Sequence, residues 1–551
     1  MKNRYAHLSL PFKMMATAVA TLLFVTDGQA VEIETGNPDV NIRFDNTLKY
    51  SGGLRTGSPL ARYVNPAAGG NMMSTDDGDQ NFKKGSPISN RIDLLSELDF
   101  DFRKTIGFRV SGAAWYDTVY NRTNSNNSPG TANSLSVPYN EFTDATRNLH
   151  GRKAEILDAF VWANFKPTDE MRAQVKAGRH SLLWGESLFY SGNAIAGGMA
   201  PFDVIKLASV PSTPAKEFVM PVGQLSGQLQ ISPEWSVAAY WQYDWRRTRL
   251  PAAGSYFSSG DLLDAGGERI FVGPGPYLTR TQDSEPSSKK QFGFALKTRV
   301  EDADIGLYAI QYHAKLPQLA FNFVPSATSM DQGTYSLVFP ERIRAFGASI
   351  SQTVGNFNLA AEASIRHNSP LQSLPSTSFY GAPAISTSGN PLYAVGTTGH
   401  INVNALAMLG PSFIASSATL MGEVAWNRML SCKSNCGPTV LDPGVTRDAL
   451  SLRVSYSPNY YNVMDGLDLS PSISVSYNPK GKGAAGPMGP HKGGDVTLGV
   501  DATYLGVWKA ALSYTRYYGS ADNIFNTANT YSFAQTLRDR DFISFTLSRA
   551  F

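Results

Sequence analysis

The side chains able to do catalytic or metal chemistry are few and scattered. Seven histidines, His7, His150, His180, His313, His367, His400 and His491, never fall within metal-ligand spacing of one another. The motifs that present a nucleophile, cradle a phosphate or build a zinc protease, G-x-S-x-G, the P-loop and H-E-x-x-H, do not occur. No metal, cofactor or catalytic residue is expected, and the chain reads as a non-enzyme. The enzymatic alternative is a lipid hydrolase whose serine and histidine meet only on adjacent strands. Cys432 and Cys436 lie four apart in a polar stretch beside Asn435 and Gly437. In an oxidising exported compartment that spacing predicts a disulfide, because two thiols without nearby histidines make an incomplete zinc set.

What remains is electrostatic. Asp93, Glu97, Asp99 and Asp101 share one parity with Arg103 and Arg109, Glu362 stands four residues before Arg366, and Arg246, Arg247 and Arg249 cluster at one strand end. Charges of both signs on one wall of a wide barrel set solute preference or tether a loop inside it. The elements that would carry them alternate with period two, which puts successive side chains on opposite faces of a strand. Ile42, Phe44, Leu48 and Tyr50 oppose Arg43, Asp45, Thr47 and Lys49, and Ile92, Leu94, Leu98, Phe100 and Phe102 oppose Asp93, Glu97, Asp99, Asp101 and Arg103. Segments of the same kind begin near Phe108, Glu155, Arg172, Gln224, Ser236, Phe292, Ile305, Phe346, Phe357, Ile401, Ala418, Leu450, Leu469, Val496, Lys509 and Phe542.

This pattern predicts an all-β protein, a transmembrane antiparallel β-barrel of about 18 strands. The interruptions at 410–416 and 457–466 are longer than tight turns, and the count falls to 16 or 14 if a segment beside them is not a strand. Only 17% of the 551 residues are charged, against about 25% in soluble domains. With 48 basic and 45 acidic residues, no basic excess favours nucleic acid. Lys2, Arg4 and Lys13 ahead of the apolar run from Met14 to Val25, with Gly28 and Ala30 at a cleavage site, read as a signal peptide over 1–30. Residues 31–551 then form a single barrel in the bacterial outer membrane. Short turns such as 104–107 and 301–304 alternate with long polar connections such as 55–90 and 247–289, as barrel topology requires. Tyr50, Trp245, Trp426 and Tyr504 suit interfacial girdles. Phe545, Leu547 and the terminal Phe551 resemble the C-terminal signature that the outer-membrane assembly machinery recognises, with Arg549 near the rim.

One connection differs. Residues 182–221 carry Leu182, Leu183, Trp184, Phe189, Ile195, Met199, Phe202, Ile205, Leu207 and Phe218 where the other long connections are polar. They are expected to fold into the lumen as a constriction or plug, with short helices starting at Pro201 and at Thr213–Pro214; an external cap is the alternative. Around this segment the chain resembles a family of proteobacterial exported proteins built on a domain of unknown function and regarded as outer-membrane barrels. Gly178 and Arg179, Trp184, Gly185 and Glu186, Pro201, Pro221 and the stretch Tyr240 to Trp245 before Leu250 and Pro251 carry the resemblance. Tyr312 with His313, Phe339 with Pro340, Gly347 with Ser349, and Glu362 with Pro370 extend it. His180 departs from the family's glutamine. The resemblance implies an outer-membrane location and passage of hydrophobic or lipid-like compounds, in company with inner-membrane exporters of the resistance-nodulation-division type.

The expected function is a passive outer-membrane channel for small, hydrophobic or lipid-like molecules, with outer-membrane lipids, the assembly machinery and those molecules as partners. Arg179, His180, Trp184, Glu186, Phe202, Asp203, Glu362 and Arg366 are the lumen and gating candidates. A structural or adhesive surface barrel whose loops bind partners is the alternative from another class.

Overall fold

The computed structural model describes residues 31–64, 73–209, 213, 215–382, 385–387 and 390–551. The signal-peptide segment lies outside the described residues. Eighteen barrel strands follow in order among the described residues: β1 (Val40–Arg55), β2 (Pro87–Phe102), β3 (Ile106–Asp117), β4 (Arg152–Phe165), β5 (Arg172–His180), β6 (Val222–Gln230), β7 (Trp235–Gln242), β8 (Gln291–Val300) and β9 (Ala303–Tyr312), then β10 (Ile343–Val354), β11 (Phe357–Pro370), β12 (Val395–Leu409), β13 (Ser417–Ser434), β14 (Asp448–Met464), β15 (Leu467–Lys480), β16 (Gly494–Tyr504), β17 (Trp508–Tyr518) and β18 (Phe542–Ala550). Each pairs antiparallel with its sequence neighbours, and β18 returns to β1 with Thr47 opposite Ala550 and Arg55 opposite Phe542. The sheet is closed, so no strand edge is left to pair with another chain.

Register follows the alternation. Phe44 faces Leu98 and Tyr50 faces Ile92 on one side, while Arg43 faces Asp99 and Lys49 faces Asp93 on the other. A one-residue slip would put the charges on the apolar face. That apolar face is uncovered, with Phe294 60% exposed and Val161, Phe346, Leu307 and Val403 similarly bare. The opposite face buries Asp93, Glu97, Gln224, Gln242, Glu362, Asn402 and Glu423. A closed sheet with an apolar belt and a polar interior has the form that satisfies all backbone groups in lipid.

Eight short connections (103–105, 166–171, 231–234, 301–302, 355–356, 410–416, 465–466 and 505–507) sit at one end with the start of β1 and the end of β18; nine longer ones cross the other. The interruption at 457–466 folds as strand: β14 runs to Met464, and only Asp465 and Gly466 turn. Pro458, which lacks an N–H, is accommodated opposite Ala418 close to a register shift between Tyr460 and Met464. The seven residues of 410–416 remain a loop. Cys432 and Cys436 are joined in a disulfide at the end of β13.

The long connections are not simply polar. Ser376–Phe379, Gln318–Phe323, Asp331–Val338, Tyr277–Arg280 and Arg269–Phe271 form a second, five-stranded sheet in that order. It buries Leu262, Ile270, Leu278, Leu319, Tyr335, Leu337 and Phe339. Trp245 packs its ring 4.9 Å from Phe339 there, so it belongs to the loop core and not to an interfacial girdle. A further cluster joins Phe82, Tyr120, Phe142, Tyr256 and Phe257 to Phe542. The contrast between 182–221 and its neighbours is thus smaller than composition suggests, because apolar residues are diluted along these loops and meet only on folding.

The seam depends on the last residue. Phe551 donates its N–H to the Asn46 carbonyl (2.9 Å) and accepts from the Asn46 N–H (2.8 Å), extending the β1–β18 ladder by one pair. Arg549 lies over the Trp508 ring at 5.1 Å. Deleting Phe551 should reduce the heat-modifiable, folded fraction recovered in membranes, read by mobility of unheated samples; an unchanged fraction under strong expression would argue that the terminal aromatic is dispensable.

Candidate functional site

The segment 181–221 leaves β5 at His180 and rejoins the sheet at Val222, which pairs with His180. Both of its ends are therefore at one place on the wall, yet its contacts are far around the sheet. Trp184 enters a cluster with Ile195, Met199, Tyr240, Ala295, Tyr308, Ile310, Tyr312, Ile343 and Ala345, drawn from β7 to β10. Its ring lies 5.1 Å from that of Tyr240 and 6.0 Å from that of Tyr308. Gly185 follows with φ of +97°, and a β-carbon there would collide with the Glu362 carboxylate. Glycine is needed both for the backbone angle and for the close approach.

Two wall carboxylates then hold the irregular backbone. Glu362 on β11 accepts the N–H of Glu186 (3.0 Å) on one oxygen and that of Ile195 (2.5 Å) on the other. Glu423 on β13 accepts three consecutive N–H groups on Oε2, from Leu188 (3.1 Å), Phe189 and Tyr190 (3.0 Å). Its Oε1 accepts from Ser187 Oγ (2.8 Å) and Asn402 Nδ2 (2.7 Å). Successive N–H groups turned inward make a small anion-binding concavity. Arg366 donates to the carbonyls of Asn193 (2.6 Å) and Ala194 (2.8 Å), and Asn193 reaches Asn402 (2.8 Å) and His400 (2.9 Å). Backbone groups that a helix or ladder would satisfy internally find their partners on the wall.

The second half turns toward the opposite arc. The helices Ala196–Met199, Val204–Ser209 and Ala215–Phe218 are each only one to two turns. Pro201 precedes the second by three residues; Pro214, ahead of the third, lies outside the described residues. Asp203 caps the second helix by accepting from the Lys206 N–H (3.0 Å) and pairs with Arg249 (2.5 Å), which also reaches Glu155 (2.7 Å). Lys49 on β1 pairs with Glu217 at 3.0 Å, and Lys216 pairs with Glu97 on β2. Buried pairs such as Asp203–Arg249 and Lys49–Glu217 roughly break even in free energy, but they fix direction. The segment thus links the polar faces of β1 and β2 with those of β11 to β13.

Of the sequence-derived candidates, Trp184, Glu186, Asp203, Glu362 and Arg366 come together along this segment. Phe202 packs against Phe218, ring to ring at 6.5 Å. His180 is buried beside it, on Ser226 Oγ (2.8 Å). Arg179 stands apart: it shares strand parity with Ala177, which faces the exposed Val161 and Leu225, and its guanidinium donates to the Ile156 carbonyl (3.2 Å). The odd-numbered parity of β5 turns it away from the polar interior. Glu423, Asn402, Asn404, His400 and Asn193 were missed. Glu423 had a signal, since like Glu362 it is a lone carboxylate on a strand of small and apolar residues. Between the anchors the segment leaves Leu183, Leu188 and Leu207 exposed, the last at 48%. Nearby, Arg453 pairs with Asp495 (2.7 Å) and lies 6.0 Å from the Phe189 ring.

The model of a family described as "Protein of unknown function (DUF1302)" matches residues 12–551. No curated protein matches the sequence. Among solved structures, the chain is similar to Pseudomonas aeruginosa OpdK with vanillate, at 11% identity and a TM-score of 0.41, over 95% of this chain and 100% of that one. It is also similar to Acinetobacter baumannii OccAB3 (9% identity, TM-score 0.42, 93% and 99%) and to Salmonella typhi OmpF in complex with daunomycin (7% identity, TM-score 0.37, 95% and 100%).

Proposed function

We propose that this chain, which belongs to the DUF1302 family of proteins of unknown function, is an outer-membrane channel for small hydrophobic or lipid-like molecules in which residues 181–221 form a constriction inside the lumen. The observation that carries the reading is the anchoring of that segment by Glu362 and Glu423 on one arc and by Lys49 and Glu97 on another. Partners on the polar faces of both arcs of a closed sheet support a position within it. The exposed Leu183, Leu188 and Leu207 on the segment, together with the Arg453–Asp495 pair beside Phe189, support an amphipathic lining, which suits solutes with apolar bodies. The apolar belt on the other face of the sheet supports residence in a membrane.

Removing the chain between Gly192 and Lys216 and rejoining it tests this reading. The β-ladder pairs each strand with its neighbours, so the barrel should still insert and remain heat-modifiable. Single-channel conductance and uptake of large hydrophobic solutes should both rise. Wild-type conductance from a correctly inserted deletion variant would make the segment a cap and not a constriction.

A further inference from the structure

Where the connections 56–86, 118–151 and 243–290 meet, three carboxylates are packed together. Asp76 and Asp77 come from the first connection and Asp261 from the third, and one carboxylate oxygen of each lies within 4.8 Å of the others. Asp76 is 0% exposed, Asp261 1%, and Asp77 is buried. One oxygen of each carboxylate is used: Asp76 accepts from Thr131 Oγ1 (2.9 Å), Asp77 from the Asn133 N–H (2.9 Å) and Asp261 from the Asp77 N–H (3.1 Å). The Oδ1 atoms of all three are buried with no hydrogen-bond partner. The adjacent guanidinium groups are engaged elsewhere, Arg269 on the Ala132 carbonyl and Arg540 on Asp79. Asp79, on the same turn, shows the contrast, since Arg55 and Arg540 both pair with it.

A second observation is independent of the carboxylates. Asn133, from the middle connection, is 2% exposed, and its side-chain carbonyl Oδ1 also has no partner. Asn133 and Asp77 together line a cavity of about 20 Å³, close to the volume that one water or one small ion occupies. Four buried oxygen acceptors without donors, three of them formally anionic, are unfavourable unless a cation or protons supply the missing charge.

We propose that Asp76, Asp77, Asp261 and Asn133 form a binding site for a hard divalent cation, calcium in preference to magnesium, that ties three long loops together over one end of the barrel. All the donors are oxygens, which selects a hard cation. Calcium accepts six to eight oxygens in irregular geometry, as side chains drawn from three loops supply, whereas magnesium requires a near-ideal octahedron and retains several waters. The loops that a bound ion would join also carry the aromatic cluster of Phe82, Tyr120, Phe142 and Tyr256, so binding would stiffen the whole assembly.

The test uses the full mature chain in detergent free of lipopolysaccharide, stripped with a chelator and titrated with calcium or magnesium. Calcium should raise the loop-unfolding temperature, with a midpoint at or below roughly millimolar, and magnesium should do so at least about tenfold less effectively. Asp76→Asn and Asp261→Asn should each weaken calcium binding by about tenfold or more while raising stability in chelator, because a buried unpaired charge is gone. Asp144→Asn, an exposed control, should titrate as wild type. Terbium luminescence sensitised by the protein's tyrosines, displaced by calcium, gives a second readout on the unmutated chain should a variant fail to fold. A wild-type chain with no calcium response and no displaceable terbium overturns the proposal, as do Asp76→Asn and Asp261→Asn variants that respond like wild type. Equal potency of magnesium overturns the assignment to calcium.

Discussion

Alanine at both Glu362 and Glu423 is expected to open the channel in the membrane-inserted protein, seen as larger or more frequently open single-channel conductance. The two carboxylates accept five backbone N–H groups of the segment between them, three at Glu423 alone. A hydrogen bond to a charged acceptor contributes roughly 1.5–3 kcal/mol, and a buried N–H left without one costs about 1–3 kcal/mol. Part of this is returned, because the variants no longer bury two carboxylates. Even a net loss of about 3 kcal/mol shifts the ratio of released to anchored segment by about two powers of ten. Glu423→Gln keeps an acceptor without the charge and should fall between. Wild-type conductance and dwell times in the double variant would show that these contacts do not hold the segment, whatever its position.

The second large effect belongs to the loops and should leave the barrel alone. Arg540, 1% exposed, donates to both oxygens of Asp79 (2.8 Å each), to the Ser258 carbonyl (2.9 Å) and to the Tyr256 carbonyl. Arg55 pairs with the same Asp79 (3.2 Å) and with Asp539 (3.1 Å) and donates to the Phe82 carbonyl (2.6 Å). Connections 56–86, 243–290 and 519–541 are joined by these two guanidinium groups. Arg540→Ala leaves two carbonyls without this donor and an acid half-paired in a dry site, a loss of about 3–5 kcal/mol. The expected result is rapid proteolysis within those loops while heat-modifiability of the barrel is preserved. Arg540→Lys should rescue little, because an ammonium cannot reproduce the bidentate fork on Asp79. Wild-type protease resistance in Arg540→Ala would mean that the apolar cluster around Tyr256 holds the loops without the ions.

The barrel was legible in the sequence because its causes are local. Alternation along each strand is a property of extended backbone, and each strand pairs with its neighbours in sequence order, so eighteen segments beginning at Ile42 could be recognised one at a time. The pairing of Cys432 with Cys436 was readable for the same reason, as four residues of separation leave little choice of partner. Where a local signal was ambiguous the reading slipped: Pro458 interrupts the alternation, and only the irregular register between β14 and β15 shows how the strand continues past it.

The interior was decided by contacts that no local pattern encodes. Glu186 meets Glu362 across 176 positions, Ser187 meets Glu423 across 236, and Asp77 meets Asp261 across 184. A lone acid such as Glu423 on an apolar strand announces that something must satisfy it, but closure of the sheet determines which chain segment arrives there. The same holds for the five-stranded sheet above the barrel, whose members are drawn from three connections and hold together only through the core around Leu278 and Tyr335. Strand periodicity is set by covalent geometry within a few residues, so the barrel and the polarity of its two faces can be read from the chain strand by strand. Which polar groups meet inside it depends on how loops of ten to fifty residues cross a closed wall, and that is a choice made by burial and charge pairing in the tertiary structure alone.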